Sequence, residues 1–280
     1  MCVSPIRKRR PSTSMGWGDS LQSYNVPCGN CPECSRNKIN SWVFRIQQEL
    51  KTAINPLFTL ITYDNENQPF INNTPTLCKR DIQLWLKRLR KEYAKFSDKQ
   101  IRYYLVGEYG SKTHRPHYHA IIMNVEPVYV YLLEKTWSMG FLNPRPLQST
   151  DGVFYTLKYI SKPKSIHTSE IQKEFSLMSK NLGSNYITYS TKRHHQHIEN
   201  SYVILNDYKI PLPRYYKNKF LSSEQIAQLT KRMQLLSDAK KEKLLKTIQN
   251  KYPHNTEQIN QRNLELSKLN TKFDKRNETI

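Results

Sequence analysis

The chain has 280 residues and a formal net charge of +21, because 44 Lys and Arg outnumber 23 Asp and Glu. A surplus this large favours a polyanionic partner, and nucleic acid comes first because phosphate contacts dominate such affinity. The sequence contains no apolar run near the ~18 residues of a spanning helix and no signal-peptide pattern, so we expect a soluble, intracellular protein without a membrane partner. Five cysteines, an odd number, predict reduced thiols rather than a disulfide framework.

Helices and strands are predicted along most of the chain from the spacing of apolar residues. Residues 1–40 look irregular and carry a basic cluster at 7–10. The predicted elements that follow are a helix at 40–50, a strand at 57–63, a helix at 78–96, strands at 101–108 and 118–123, a helix at 128–138, a strand at 140–147 and a helix at 152–162. Residues 163–200 are polar and give no clear pattern. A short strand is predicted at 202–205, and a very basic helix at 222–250.

Two histidines on one predicted strand form the first candidate site. His117 and His119 are separated by one residue, and on a strand residues i and i+2 point to the same face. Both imidazoles can therefore reach one cation. Glu108 ends the preceding strand, so an antiparallel pairing would place its carboxylate beside them as a third ligand. Two histidines and a carboxylate leave open positions for substrate oxygens, and His114 in the connecting loop is a weaker candidate ligand.

Two other interpretations fit the same histidines. The pair can be ordinary half-buried strand residues, since a bare His-x-His spacing has little specificity. A two-histidine, one-carboxylate set also binds iron in a class of oxygenases.

The predicted helix at 152–162 is the second candidate site. Tyr155, Lys158, Tyr159 and Lys162 follow i, i+3, i+4, i+7 spacing, so a helix places them on one face. The residues on the opposite side, which can anchor the helix to a core, are Val153, Leu157 and Ile160. Lysines beside a phenol favour the phenolate and neutralise phosphate charge, which a tyrosine nucleophile needs because its ordinary pKa is near 10. A solvated helix face with packed tyrosines explains the pattern equally well.

Three of these segments, in the same order, resemble the HUH endonuclease superfamily: residues 58–63, 115–119 and 155–162. The strongest likeness is to replication initiation proteins of small single-stranded DNA bacteriophages of the microvirus group, in particular the gokushovirus branch. The cysteine segment at 28–34 resembles that branch as well, and the resemblance spans roughly residues 25–165. Tyr118, between the two histidines, departs mildly from the bulky hydrophobic residue of the family motif.

The resemblance implies an α+β fold, in which helices flank a central antiparallel β-sheet with an RRM- or ferredoxin-like core. It also implies a metal-dependent DNA nickase and strand-transferase that joins itself to a 5′ phosphate, leaves a 3′ hydroxyl and later rejoins the strand. The site residues that it implies are His117, His119 and Glu108 for Mg²⁺ or Mn²⁺, Tyr155 and Tyr159 as nucleophiles, and Lys158 and Lys162 as their assistants.

The partners and location follow from the same resemblance. The expected partners are single-stranded DNA, the origin on the phage replicative form, and a host polymerase, in the cytoplasm of a bacterial host. The sequence has no GxxxxGK[ST] phosphate loop, so we also expect dependence on a host helicase. The predicted domains are a basic, Cys-rich segment (1–40), the endonuclease domain (41–205) and a basic helical C-terminal extension (206–280).

Cys28, Cys31 and Cys34 have Cys-x-x-Cys-x-x-Cys spacing, which can hold a structural zinc with Cys2 as a fourth ligand. A metal-free turn and an iron–sulfur cluster are the alternatives. Three further histidines, His194, His195 and His197, lie in a polar stretch and are interpreted as solvated or phosphate-contacting residues.

Two other functions remain open. A transposase or plasmid relaxase would use the same chemistry as a replication initiator. A non-catalytic single-stranded DNA-binding protein would need only a basic surface and exposed tyrosines on which bases stack.

Overall fold

The computed structural model describes residues 6–9, 23–29, 31–110, 113–147, 153, 157, 170–197 and 200–251. The strands are β1 (Ile6–Arg9), β2 (Ser23–Val26), β3 (Leu57–Tyr63), β4 (Phe70–Ile71), β5 (Thr74–Pro75), β6 (Arg102–Tyr109), β7 (Pro116–Met123), β8 (Gly140–Pro146), β9 (Phe175–Met178), β10 (Tyr202–Leu205) and β11 (Tyr208–Pro211). The α-helices are α1 (Pro32–Leu50), α2 (Lys79–Tyr93), α3 (Tyr131–Thr136), α4 (Tyr189–Gln196), α5 (Arg214–Phe220) and α6 (Ser223–Lys251), and short 3₁₀-helices cover Pro127–Tyr129 and Ser184–Tyr186.

A five-stranded sheet in the order β8-β3-β7-β6-β9 forms the centre of the fold, and every neighbouring pair is antiparallel. Three two-stranded sheets, β1-β2, β4-β5 and β10-β11, accompany it in the part of the chain that the structure describes. The predicted α+β fold, with helices flanking a central antiparallel sheet, is confirmed.

One face of the central sheet packs against α2 and α3. Alternation along each strand sends every second side chain into this core, among them Ile61, Tyr118 and Leu105 on three adjacent strands. From the helices, Trp85 and Leu133 complete the same cluster. Burial of these large apolar and aromatic side chains fixes which residues of β6 and β7 face the opposite side.

The opposite face is only partly covered. Near one end of the sheet, Trp42 of α1 lies against Tyr104 of β6, with ring centroids 5.0 Å apart. At the other end lie Glu108 and His117, which share the face because each is an even number of residues from Tyr104 and Ile121 in register. The fold therefore leaves this end of the face to polar side chains.

Several boundaries differ from the predictions. Helix α1 begins at Pro32, eight residues before the predicted start, since proline is compatible with the first turn of a helix. Residues 6–9 and 23–26 pair as strands within the segment predicted to be irregular. Strand β9 was not predicted, because its side chains are all half-buried and carry no alternation.

The chain divides into two compact units. One contains residues 39–191 and 204–210, and thus the whole central sheet; the other contains the residues before 39, residues 192–203 and those from 211 onward. The domain boundaries predicted from the sequence remain a prediction. Among the described helices, none combines the length and the apolar character needed to cross a membrane.

Gly140 begins β8 at a place where no side chain fits. Its φ is +144°, and a Cβ there would lie 2.4 Å from the backbone N of Asp64 and the backbone O of Thr62. We expect Gly140→Ala to lower the free energy of unfolding by about 2–4 kcal/mol, because two backbones would have to separate. Thermal and urea unfolding measure this loss, with Asn143→Ala, an exposed change on the same strand, as control. Equal stability of the two variants would contradict the close approach.

Candidate metal centre

The candidate centre is built by the pairing of two neighbouring strands. In the antiparallel register of β6 and β7, Glu108 lies directly opposite His117, and His119 lies two residues further along the same face. Directly opposed side chains have Cβ atoms about 5 Å apart, so a carboxylate reaches across to both imidazoles. The antiparallel neighbour predicted for His117 is thus present.

The three side chains converge on one point. Oε1 of Glu108 lies 2.7 Å from Nε2 of His117 and 3.1 Å from Nε2 of His119. Their potential ligand atoms all lie within 4.8 Å of one another. Glu108 and His119 are buried, whereas the His117 side chain is 21% exposed, so the group is reached by solvent from the His117 side.

The histidines determine the charge on Glu108. Burial alone would raise the pKa of this carboxyl group, but hydrogen bonds with His117 and His119 and their attraction outweigh burial and lower the pKa to about 2. Glu108 is therefore an anion at neutral pH. A buried anion is stable only beside a positive charge, which is a requirement that a cation also meets.

The surroundings of His117 fit a metal ligand. Its Nδ1 lies 3.1 Å from the backbone oxygen of Arg115, and its Nε2 faces the Glu108 carboxylate. Both ring nitrogens thus face oxygen acceptors, although a neutral imidazole carries a single N–H. If Nδ1–H donates to the Arg115 carbonyl, Nε2 presents a lone pair, which is the arrangement that metal-binding histidines adopt. The donor set of two imidazoles and one carboxylate suits a divalent cation.

Neighbouring side chains hold the centre from both ends. The ring of Phe58 on β3 stacks on His119, with centroids 5.8 Å apart and planes 23° from parallel. Arg115 donates hydrogen bonds to the backbone oxygen of Tyr63 at 2.7 Å and to the Asn65 side chain at 2.9 Å. His114, the weaker candidate ligand, is not part of the three-residue group.

Tyr118, the unusual residue between the histidines, points into the core and is fully buried. Its hydroxyl accepts a hydrogen bond from the backbone N–H of Cys78, the N-cap of α2, at 2.9 Å. It also lies 3.0 Å from the hydroxyl of Tyr63, which donates to Asp81 at 2.9 Å. Burial raises the pKa of both phenols, so they remain neutral donors. The metal strand is therefore tied through its reverse side to the first turn of α2.

Gly107 provides the space for the Tyr118 ring. The two residues are opposite each other in the β6–β7 register, and a Cβ on Gly107 would lie 3.0 Å from the ring atoms Cδ1 and Cε1. It would also lie 3.1 Å from Leu77. A glycine immediately before Glu108 therefore allows a tyrosine immediately after His117, a relation that is not visible in the sequence.

The predicted nucleophile residues Tyr155, Lys158, Tyr159 and Lys162 lie outside the described residues. Val153 and Leu157, which are described, are helical and fully buried. Both belong to the side of the helix predicted to anchor it.

Exposed side chains follow the metal face toward its β8 edge. Phe141, Asn143 and Arg145 alternate outward along β8, and Phe141 is 72% exposed. Phe141 pairs with Thr62, which pairs in turn with His117, so it lies two strands from the centre, about 10 Å away. The exposed aromatic ring and the cation next to a metal centre form a surface suited to nucleic acid, which composition alone did not locate.

The two other clusters noted in the sequence have different outcomes. The structure brings the Sγ atoms of Cys28, Cys31 and Cys34 within 4.8 Å of one another. The interpretation of His195 as solvated is wrong: it is 2% exposed, its Nδ1 lies 2.5 Å from the backbone oxygen of Asn200, and its ring stacks on Phe220. Burial lowers the pKa of His195, which makes it a neutral core residue of its unit.

Residues 56–164 match the family model of the replication-associated protein ORF2, so the match includes β3, the metal centre and the predicted nucleophile segment. The chain is similar to phage replication-associated proteins. This confirms the resemblance that the sequence motifs indicated.

Three relatives illustrate the similarity. Replication-associated protein VP4 of Bdellovibrio phage phiMH2K is 25% identical, over 85% of this chain and 87% of its own. Replication-associated protein ORF4 of Chlamydia phage 1 is 26% identical, over 70% of this chain and 53% of its own length. Replication-associated protein ORF2 of Spiroplasma virus 4 is 27% identical, over 70% of this chain and 67% of its own. No solved structure gives a significant match.

We expect Gly107→Ala to disturb the metal centre from its reverse side. The added methyl would push on the Tyr118 ring and lower the free energy of unfolding by about 1–3 kcal/mol, and it would weaken binding of Mn²⁺. Gly110→Ala is the matched control, because its Cβ would make only ordinary contacts of 3.5 Å or more. Urea unfolding and Mn²⁺ titration calorimetry measure both effects. If the two alanines behave alike, the packing of Tyr118 on Gly107 does not support the centre.

Proposed function

We propose that this protein initiates rolling-circle replication of a small single-stranded DNA phage, as a metal-dependent, site-specific DNA nickase and strand-transferase. The observation that carries the proposal is the buried group of Glu108, His117 and His119, in a chain similar to phage replication-associated proteins. The net charge of +21 supports a DNA substrate. Single-stranded DNA and the replicative-form origin are then the substrates, in the cytoplasm of a bacterial host.

The cation would be Mg²⁺ or Mn²⁺, held by Nε2 of both histidines and by the Glu108 carboxylate. When bound, such a cation supplies positive charge to the scissile phosphate. The residues of the chain hold the site ready: Glu108 keeps its negative charge, because its pKa is about 2, and the Arg115 carbonyl holds Nδ1 of His117. No bound ion has to form these contacts anew, and this keeps the cost of assembling the site low.

Tyr155 and Tyr159 are the proposed nucleophiles, a role that rests on the resemblance and on their spacing. The phenol oxygen of one tyrosine attacks phosphorus, and the bond from phosphorus to the 3′ oxygen breaks. That oxygen takes up a proton and leaves as a 3′ hydroxyl, which a host polymerase extends, while the 5′ phosphate stays on the tyrosine. A later 3′ hydroxyl reverses the step and rejoins the strand. Lys158 and Lys162 stabilise the phenolate and the phosphate charge.

The substrate strand would lie along the exposed side chains beside the centre. Leu60 and Phe141 present apolar surface there, and Arg145 adds a positive charge on the same face. Bases stack on aromatic rings without sequence preference, so this surface would hold the strand while sequence is read elsewhere. A host helicase would separate the duplex strands, as the chain lacks a phosphate-binding loop.

The chemistry is tested with labelled single-stranded oligonucleotides from the phage's own genome, incubated with Mn²⁺ or EDTA and resolved on a denaturing gel. We expect an adduct that survives denaturation with Mn²⁺, is absent with EDTA, and is lost when Tyr155→Phe and Tyr159→Phe are combined. His117→Ala should reduce the adduct at least ~10–100-fold, the usual cost of disturbing a metal site. The control is Tyr131→Phe, an exposed tyrosine of α3.

Strong DNA binding without an adduct, on any origin sequence and with either metal, would instead identify a non-catalytic binding protein. An adduct that forms on one defined sequence and is followed by circle formation would favour the initiator over a transposase or relaxase, which share the covalent step.

A separate measurement tests the proposed DNA surface. We expect Phe141→Ala to weaken binding of a single-stranded oligonucleotide by about 1–3 kcal/mol, the usual contribution of one base stacked on an aromatic ring. Phe70→Ala removes a comparably exposed ring from the β4-β5 hairpin and should leave affinity unchanged. Fluorescence anisotropy in EDTA measures binding without cleavage. A similar affinity for both variants would exclude Phe141 from the DNA surface.

A further inference from the structure

The segment that leads into α1 gathers three thiols in a space of a few ångströms. Cys28 precedes a turn, Cys31 lies in it, and Cys34 is the third residue of α1. Gly29 has a φ of +82°, in the left-handed region that glycine adopts without strain, and this reverses the chain between the first two cysteines. Open space surrounds the position where its Cβ would be, so the backbone conformation is what favours glycine there.

The distances between the sulfurs suit a shared ion better than a disulfide. Sγ of Cys28 and Sγ of Cys34 are 4.0 Å apart, and all three Sγ atoms lie within 4.8 Å of one another. A disulfide would require about 2.05 Å. Two thiolates on a tetrahedral zinc, each about 2.3 Å from it, are about 3.8 Å apart. The observed separation matches this value before any ion is added.

The surroundings also favour thiolates. The backbone N–H of Cys31 points at Sγ of Cys28 from 3.3 Å, and such N–H groups stabilise a sulfur that carries negative charge. The sulfur of Cys34 lies in the first turn of a 19-residue helix, where the helix dipole is positive. Cys31 and Cys34 are each only 9% exposed, which protects them from oxidation. Geometry, hydrogen bonding and field all favour the deprotonated sulfur that a metal binds.

We propose that Cys28, Cys31 and Cys34 form a second metal centre, a structural zinc site that fixes the start of α1. Thiolates are soft ligands that select zinc, whereas the imidazole and carboxylate group on the sheet accepts harder cations such as Mg²⁺ and Mn²⁺. The two centres therefore differ in ion, chemistry and role. Zinc takes four ligands, and Cys2, predicted as the fourth, lies outside the described residues.

Metal analysis and cobalt substitution on the full chain test this centre. We expect about one equivalent of zinc in the purified protein, lost in Cys28→Ser and Cys34→Ser and kept in Cys78→Ser. Cys78 is the matched control because it lies outside the thiol group. Replacing zinc by Co²⁺ should give sulfur-to-cobalt absorption in the near ultraviolet for the native protein and for Cys78→Ser alone of these variants.

Protection from alkylation gives a second readout that does not depend on the folding of a variant. With zinc bound, the three thiols of the native protein should react with iodoacetamide at least ~10-fold more slowly than after removal of zinc by a strong chelator. Three results would each overturn the proposal: zinc retained in both serine variants, cobalt bound without sulfur absorption, or iron with inorganic sulfide in place of zinc.

His117→Ala separates this proposal from the proposed function. The variant should lose nicking but keep its zinc and its cobalt–sulfur absorption. A protein that binds zinc through the cysteines yet forms no DNA adduct would contradict the nickase and leave the zinc centre intact.

Discussion

The buried carboxylate of Glu108 is the constraint on which the site depends. A charge that is 3% exposed is tolerated only because two imidazoles meet it at 2.7 and 3.1 Å, and both come from the strand paired with its own. A shift of the β6–β7 register by one residue would turn the histidines to the other face and leave the carboxylate without partners. The register of two strands and the electrostatics of the site are thus one requirement.

The reverse face of the same strands makes that register specific. Tyr118 packs on Gly107 directly across the pair, and its hydroxyl is tied to Tyr63 and to the backbone of Cys78. A tyrosine in place of a simple hydrophobic residue adds hydrogen bonds that a slipped strand would lose, and buried donors without partners are costly. The departure from the family motif therefore leaves the ligands in place and links them to α2.

Charge and chemistry divide the work of this protein between different surfaces. The net positive charge draws in DNA from a distance, whereas exposed groups such as Phe141 and Arg145 would hold a strand beside the centre. Imidazole and carboxylate ligands serve the proposed chemistry, and thiolates serve the proposed structural zinc. Separate ligand types keep one ion from replacing the other, because softness and geometry decide metal selection more than affinity does.

The sequence by itself determined the elements and the ligand pair. Alternation predicts that His117 and His119 share a face, and apolar spacing predicts α2, since both patterns depend on neighbours along one strand or helix. Only the tertiary structure decided that Glu108 stands opposite His117, that Gly107 makes room for Tyr118, and that His195 is buried against Phe220. These relations join residues on different strands and helices, and their register follows from packing of the whole core, which no local pattern contains.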